Sequence, residues 1–223
     1  MMRSWGNRPD TVVVDEPFYA HYLHVTRADH PGADEVIAAG ERDWEKVVRA
    51  LVGAVPTKPV FYQKQMTHHF LPHISREWLS DVTNCFLIRD PREVIASYTK
   101  KNHEPTVEDV GFIQQAEIFD IVRKQTGAVP PVVDAHDVLE NPRRTLTLFC
   151  EAVGLEFSDA MLSWPAGLRE TDGIWAKHWY TEVATSTGFR NASRSHAEVP
   201  ANLRSVYQTC RTIYERLAEH RLR

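Results

Sequence analysis

A chain of 223 residues, 43% of them apolar and 25% charged, is long enough to bury a sizeable core and is expected to form a single domain over 1–223. Its net charge of −4 gives no electrostatic case for duplex nucleic acid or an anionic membrane, so a bound anion has to be held by local groups. No apolar run reaches the roughly 18 residues of a membrane span and the start lacks the apolar stretch of a signal peptide, so no membrane partner is expected.

Along the chain, short β-prone runs alternate with amphipathic stretches. The first run is 11-TVVVD-15, followed by helical spacing over Trp44 to Val52, and the second is 59-PVFYQK-64. The most apolar run, 83-TNCFLIR-89, reads as a buried strand. It leads into a helix over Pro91 to Lys101, a second helix over Gln114 to Lys124, and a fourth strand at 131-PVVDA-135. After Asn141-Pro142 the pattern is helical only, clearest over Thr145 to Val153 and Asn202 to Leu217, and 185-TSTGFRNASRSHAEVP-200 reads as a surface loop. This alternation predicts an α/β fold with a mainly parallel sheet flanked by helices and a helical C-terminal third. Cys85, Cys150 and Cys210 are too widely spaced for a zinc motif or a disulfide framework, which fits a reducing cytoplasm.

The third run ends on an arginine. In parallel sheets ligands gather beyond the carboxyl ends of strands, and Arg89 stands at that end. Asp90 is suited to cap the helix, Pro91 to its first position, and Glu93 to complete a capping box. Ser97 lies two turns beyond Asp90 on the same face, so an arginine fork and a hydroxyl are set to converge on one anion, as a terminal phosphate requires. The plainer alternative pairs Arg89 with a nearby carboxylate and leaves Ser97 on the surface.

The segment IRDPREVIASY resembles the 3′-phosphate motif of sulfotransferases, in which an arginine ends a strand and a serine follows eight positions later. In the same order, 60-VFYQKQMTHHFLP-72 resembles the family's strand ending in lysine with a threonine-histidine pair and Leu-Pro, and 134-DAHDVLENPRRTLTLFCEAVGL-155 resembles its strand, Glu-Asn-Pro turn and helix. The stretch 167-GLRETDGIWAKHW-179 resembles the late Gly-x-Trp-Lys loop over the nucleotide. Together these cover most of residues 10 to 180.

The resemblance implies a P-loop-like α/β scaffold and transfer of a sulfuryl group from 3′-phosphoadenosine 5′-phosphosulfate (PAPS) to an acceptor hydroxyl or amine, without a metal. It assigns Arg89 and Ser97, with Arg169, Gly173, Trp175 and Lys177, to the nucleotide. Lys64 becomes the cation near the bridging oxygen and His68 the base, with His69 and Glu16 as rivals for that role.

Bland readings stand beside these. His68, His69 and His73 are a possible metal set, though Pro72 interrupts the helix that would align 69 with 73. Phe18, Tyr19, Tyr22 and Leu23 read as core as readily as pocket, and Lys64 as a solvent-facing strand position. A nucleotide kinase is disfavoured, because no G-x-x-x-x-G-K-S/T pattern occurs.

One part of the family pattern is missing. The strand and Ser/Thr/Gly loop that hold the 5′-phosphosulfate are not in the sequence, and 1-MMRSWGNRPD-10 looks like the helix that follows them. The expectation is a weakened activity or an upstream true start, and an exposed sheet edge that favours self-association. A non-catalytic nucleotide-binding or interaction protein derived from the scaffold is the second functional expectation.

Overall fold

In the computed structural model, which describes residues 1–53, 57–100, 104–190 and 198–223, helices and parallel strand pairs combine in an α/β fold. In chain order the regular elements are α1 (Met2–Gly6), β1 (Thr11–Asp15), α2 (Tyr19–Thr26), α3 (Ala33–Ala39), α4 (Trp44–Val52), β2 (Val60–Lys64), β3 (Phe86–Ile88) and α5 (Pro91–Thr99). There follow α6 (Phe112–Thr126), β4 (Val132–Asp134), α7 (Ala135–Glu140), α8 (Pro142–Ala152), α9 (Ala176–Trp179), α10 (Thr181–Thr185) and α11 (Arg204–Ala218). They divide into two compact units, Met1–Trp78 with Ser158–Phe189 and Leu79–Phe157 with Arg190–Arg223.

The first unit is built on β1 and β2, parallel and paired from Thr11 opposite Val60 to Asp15 opposite Lys64. A β-branched run favours the extended chain, and its period of two buries Thr11, Val13 and Asp15 together. The crossover between the strands carries α2 to α4. Asp43 caps α4 by accepting from the amides of Glu45 and Lys46, and the helix buries Val47 and Leu51, one turn apart. Phe18 and Leu23 are fully enclosed, Phe18 meeting the Phe70 ring edge-on at 5.0 Å and the Trp78 ring at 5.9 Å. Trp5 of α1 stacks on Tyr62 of β2 at 5.1 Å. The sequence-predicted loop that starts at 185 is partly paired: Ser163 bridges Gly188, and the Trp164 amide donates to Thr187 at 3.0 Å. Its residues 191–197 lie outside the described residues.

The second unit is built on β3 and β4, parallel and paired from Phe86 opposite Val132 to Ile88 opposite Asp134. The third run is a shorter strand than its composition predicts. The Asn84 amide donates to the carbonyls of Leu79 and Val82 at 2.7 and 3.0 Å, which folds the preceding residues into a turn. The strand is also buried on one face only, with Leu87 46% exposed between Phe86 and Ile88. Asp90 caps α5 through the Arg92 amide at 2.8 Å, with Pro91 in the first turn as expected. Gly111 and Gly127, both at positive φ, bracket α6, whose Phe119 meets Phe86 at 5.4 Å. From α11, Tyr214 donates to Asp134 at 2.6 Å, and Cys150 and Cys210 fill the core as small apolar groups.

Candidate functional site

The carboxyl ends of β1 and β2 bring charge into the first unit. Asp15 and Lys64 are register partners, so the alternation that buries Asp15 sets it beside the lysine, 3.1 Å from its Nζ. Glu16 follows with φ at 43°, a left-handed backbone rare for a residue with a side chain. That turn lets its amide donate to the Lys64 carbonyl at 2.9 Å while its carboxylate accepts from Lys64 Nζ. The third partner of the ammonium is Tyr180, whose hydroxyl accepts from Nζ at 2.9 Å and donates to Asp15 at 2.5 Å. Lys64 therefore does not face solvent on an alternating register. Its ammonium makes two hydrogen bonds, to Glu16 and Tyr180, and an ion pair with Asp15.

The electrostatics follow from burial. Burial raises the Glu16 carboxyl above its ordinary range against the opposing pull of Lys64. Burial pulls the Lys64 ammonium down, but Glu16 and Asp15 outweigh it and hold its pKa above the usual value. The Tyr180 hydroxyl is raised, first by burial. Lys64 and Tyr180 thus keep their protons at neutral pH, while burial biases the Glu16 carboxyl toward its neutral form.

A single 3₁₀ turn, Thr67–His69, follows β2. His69 is buried at 2% exposure, stacks on Tyr19 at 4.8 Å and packs on Tyr22 at 4.7 Å. Burial, then the nearby His68, Lys64 and His30 charges, lower its pKa well below the usual imidazole value, so it is neutral. His68 is half-buried, with its ring 4.4 Å from that of His69 and 5.5 Å from that of Tyr22. His73 does not join them in a metal set: it shares a hydrogen bond of 2.8 Å with His21. The two ring environments separate two roles, so His69→Ala is expected to cost roughly 2–4 kcal/mol in urea unfolding by emptying an aromatic niche. His68→Ala is expected to leave the unfolding free energy within about 0.5 kcal/mol of wild type. Equal losses in both would remove this distinction.

The late loop also lies in the first unit. Gly173 is where it is because the Trp175 indole occupies the space a Cβ would need. Trp175 in turn packs against the core of Tyr19, Leu23 and Val36, meeting Tyr19 edge-on at 5.1 Å. Lys177 is exposed and pairs with Glu35, and Arg169 is half-buried beside Asp172, whose carboxylate accepts from the Arg169 amide at 2.8 Å. The first unit therefore brings Glu16, Lys64, His68 and His69 into adjacent turns. It packs Trp175 against the same Tyr19 that carries His69.

Arg89 and Ser97 belong to the second unit. Arg89, its side chain 50% exposed, donates to Glu93 at 2.9 Å, so the plainer pairing is present. Ser97 is exposed on α5. Sequence reasoning missed Asp15 and Tyr180. The signal for Asp15 was its place in the alternation of TVVVD, which predicts a buried acid in need of a cation. Nothing in the order of residues linked Tyr180 to it across 165 positions.

Comparison with known proteins gives the family. A model described as a sulfotransferase domain matches residues 1–215. Two Arabidopsis thaliana proteins, branched-chain-amino-acid aminotransferase-like proteins 1 and 2, are 32% and 30% identical over 220 residues; the alignments cover 99% of this chain and 39% of each relative. The chain thus spans about two fifths of the length of these curated relatives. Among solved structures, the sulfotransferase domain from the curacin biosynthetic pathway is similar at 14% identity and a TM-score of 0.44, over 87% of this chain and 77% of that one. The sulfotransferase domain from the Synechococcus PCC 7002 olefin synthase is similar at 13% identity and a TM-score of 0.35, over 91% and 94%. A family match that runs from the first residue through most of the last helix means that this chain belongs to the sulfotransferase domain family.

Proposed function

We propose that the chain transfers a sulfuryl group from PAPS to a hydroxyl or amine of a small-molecule acceptor. The observation that carries this reading is the half-buried ammonium of Lys64 at the end of β2, held among Asp15, Glu16 and Tyr180, with His68 and a neutral His69 on the next turn. In the reaction, the acceptor oxygen or nitrogen forms a bond to sulfur, the sulfur–oxygen bond to the 5′-phosphate breaks, and the acceptor proton passes to a base. His68 takes that proton, with His69 and Glu16 as the neighbours that can replace it. Lys64 stabilises the developing charge once one of its carboxylate partners gives way to the substrate.

Arg89 and Ser97 hold the 3′-phosphate in this reading. The Arg89–Glu93 pair is no obstacle, since an exposed ion pair is worth about 0–1 kcal/mol and a phosphate fork is stronger. Arg169 and Lys177 serve the nucleotide from the late loop, and Gly173 and Trp175 set that loop's shape. The aminotransferase-like name of the plant relatives belongs to proteins of which this chain matches 39%, and the matched stretch is the one the sulfotransferase domain covers.

Calorimetric titration without metal tests the reading. 3′-Phosphoadenosine 5′-phosphate is expected to bind better than AMP, and Arg89→Ala to weaken it by about 2–4 kcal/mol. Equal affinity for the two nucleotides would end the assignment. A second reading, a non-catalytic nucleotide-binding protein, is favoured by the engagement of Lys64 with Glu16, Tyr180 and Asp15 of its own chain; it expects the same binding and no turnover with any acceptor.

A further inference from the structure

Away from Lys64, the first unit encloses a second knot of charge with an unmet demand. Arg3 of α1 is 5% exposed. Its Nη2 donates to Asp172 Oδ2 at 2.6 Å, while its Nη1 is buried with no hydrogen-bond partner. The same carboxylate oxygen accepts from the Arg169 amide at 2.8 Å, and the Asp172 amide donates back to the Arg169 carbonyl at 3.0 Å. The turn 169–172 is thereby closed onto Arg3. One helical turn along α1, Gly6 has no side chain, and Arg169 Nη1 lies 3.3 Å from where a Cβ would stand.

Residues 3 and 6 of α1 lie one turn apart, so the Arg169 guanidinium comes to the part of α1 that carries Arg3, and the carboxylate that pairs with Arg3 accepts from the Arg169 backbone amide. The balance is two positive charges against one negative charge. Burial lowers the Arg169 pKa, the Arg3 charge lowers it further, and Asp172 alone opposes them. A buried guanidinium donor without an acceptor and an excess positive charge are both costly, and one anion removes both costs.

We propose that Arg3 and Arg169 form a binding site for a phosphate or sulfate group, with Asp172 fixing the orientation of Arg3. The unmet Nη1 of Arg3 together with the Arg169 guanidinium suits a tetrahedral dianion better than a second planar carboxylate. Arg169, half-buried, is the more accessible of the two groups. For Arg169 the site rests on the nucleotide reading above; Arg3 goes beyond it.

The experiment is calorimetric titration of the full chain with inorganic phosphate at constant ionic strength, in wild type, Arg3→Lys, Arg169→Gln and Arg89→Ala. Arg3→Lys keeps the charge and the Asp172 pair while losing the fork, and Arg169→Gln acts at a more exposed position, so at least one variant tests the site without disturbing the fold. Wild type is expected to bind phosphate, Arg3→Lys and Arg169→Gln to bind about 10- to 100-fold more weakly, and Arg89→Ala to retain this component. Absence of binding in wild type, or binding in both Arg3→Lys and Arg169→Gln as tight as in wild type, overturns the site. Repeating the titration with saturating 3′-phosphoadenosine 5′-phosphate separates the sources. Loss of the phosphate signal assigns the site to a nucleotide phosphate, and persistence assigns it to a separate anion. If the nucleotide does not bind while inorganic phosphate does, the transfer reading fails and the anion site stands.

Discussion

Lys64→Met is expected to lower the unfolding free energy of the first unit by about 3–5 kcal/mol at neutral pH, as measured by urea unfolding. The size follows from what the lysine leaves behind. The side chains of Asp15 and Glu16 are 1% and 11% exposed, so removing the ammonium strands two carboxylates where water does not reach them. Methionine keeps the length of the aliphatic stem, so little of the loss comes from packing. As pH falls, the orphaned carboxylates take up protons and the deficit shrinks. A deficit under about 1 kcal/mol, or one that does not change with pH, would mean that solvent already serves these groups.

The wild-type network has its own pH dependence, read in the same unfolding series. The folded Glu16 carboxyl titrates above its ordinary value of 4.5. Between that value and the raised one, the folded chain holds a proton the unfolded chain has lost. Stability contributed by this group is present below the ordinary pKa and falls as pH rises through the raised one. Glu16→Gln removes that slope while leaving Lys64 paired with Asp15 and Tyr180.

The strand positions were readable because their physics is local. The runs at Thr11, Val60, Phe86 and Val132 are β-branched or aromatic, bounded by Pro, Asn or Asp, and each became a strand. Helix α4 matches the predicted Trp44 to Val52 because its cap, Asp43, and its apolar spacing lie within a few residues of each other. The third run came out shorter than its composition because Asn84 spends its amide on nearby carbonyls, a choice hydropathy does not record. For the candidate site, Lys64, Glu16 and the histidine pair were named by resemblance to the family's motifs, and they stand at the ends of β1 and β2. The company Lys64 keeps was not. Asp15 is its neighbour through strand register and Tyr180 through a segment that returns late in the chain, and neither relation leaves a periodic trace. Trp175 was named for the nucleotide by resemblance, yet its ring is spent on Tyr19.

That last contact carries the second large effect. Gly173→Ala is expected to destabilise the first unit by about 2–3 kcal/mol, because the new methyl group would stand only 2.1 Å from atoms of the six-membered ring of the Trp175 indole. Neither side can give way cheaply. The indole is held edge-on against Tyr19 at 5.1 Å, and Tyr19 is stacked on His69 at 4.8 Å, so displacing one ring disturbs the next two. The cause is the collision and not the backbone, which a double-mutant cycle with Trp175→Phe can establish. Phenylalanine withdraws the outer ring that the methyl group meets, so Gly173→Ala is expected to cost about 1 kcal/mol or less on that background. If the alanine costs the same in both backgrounds, Gly173 serves the turn's own conformation, and the packing of Trp175 does not explain why a glycine stands there.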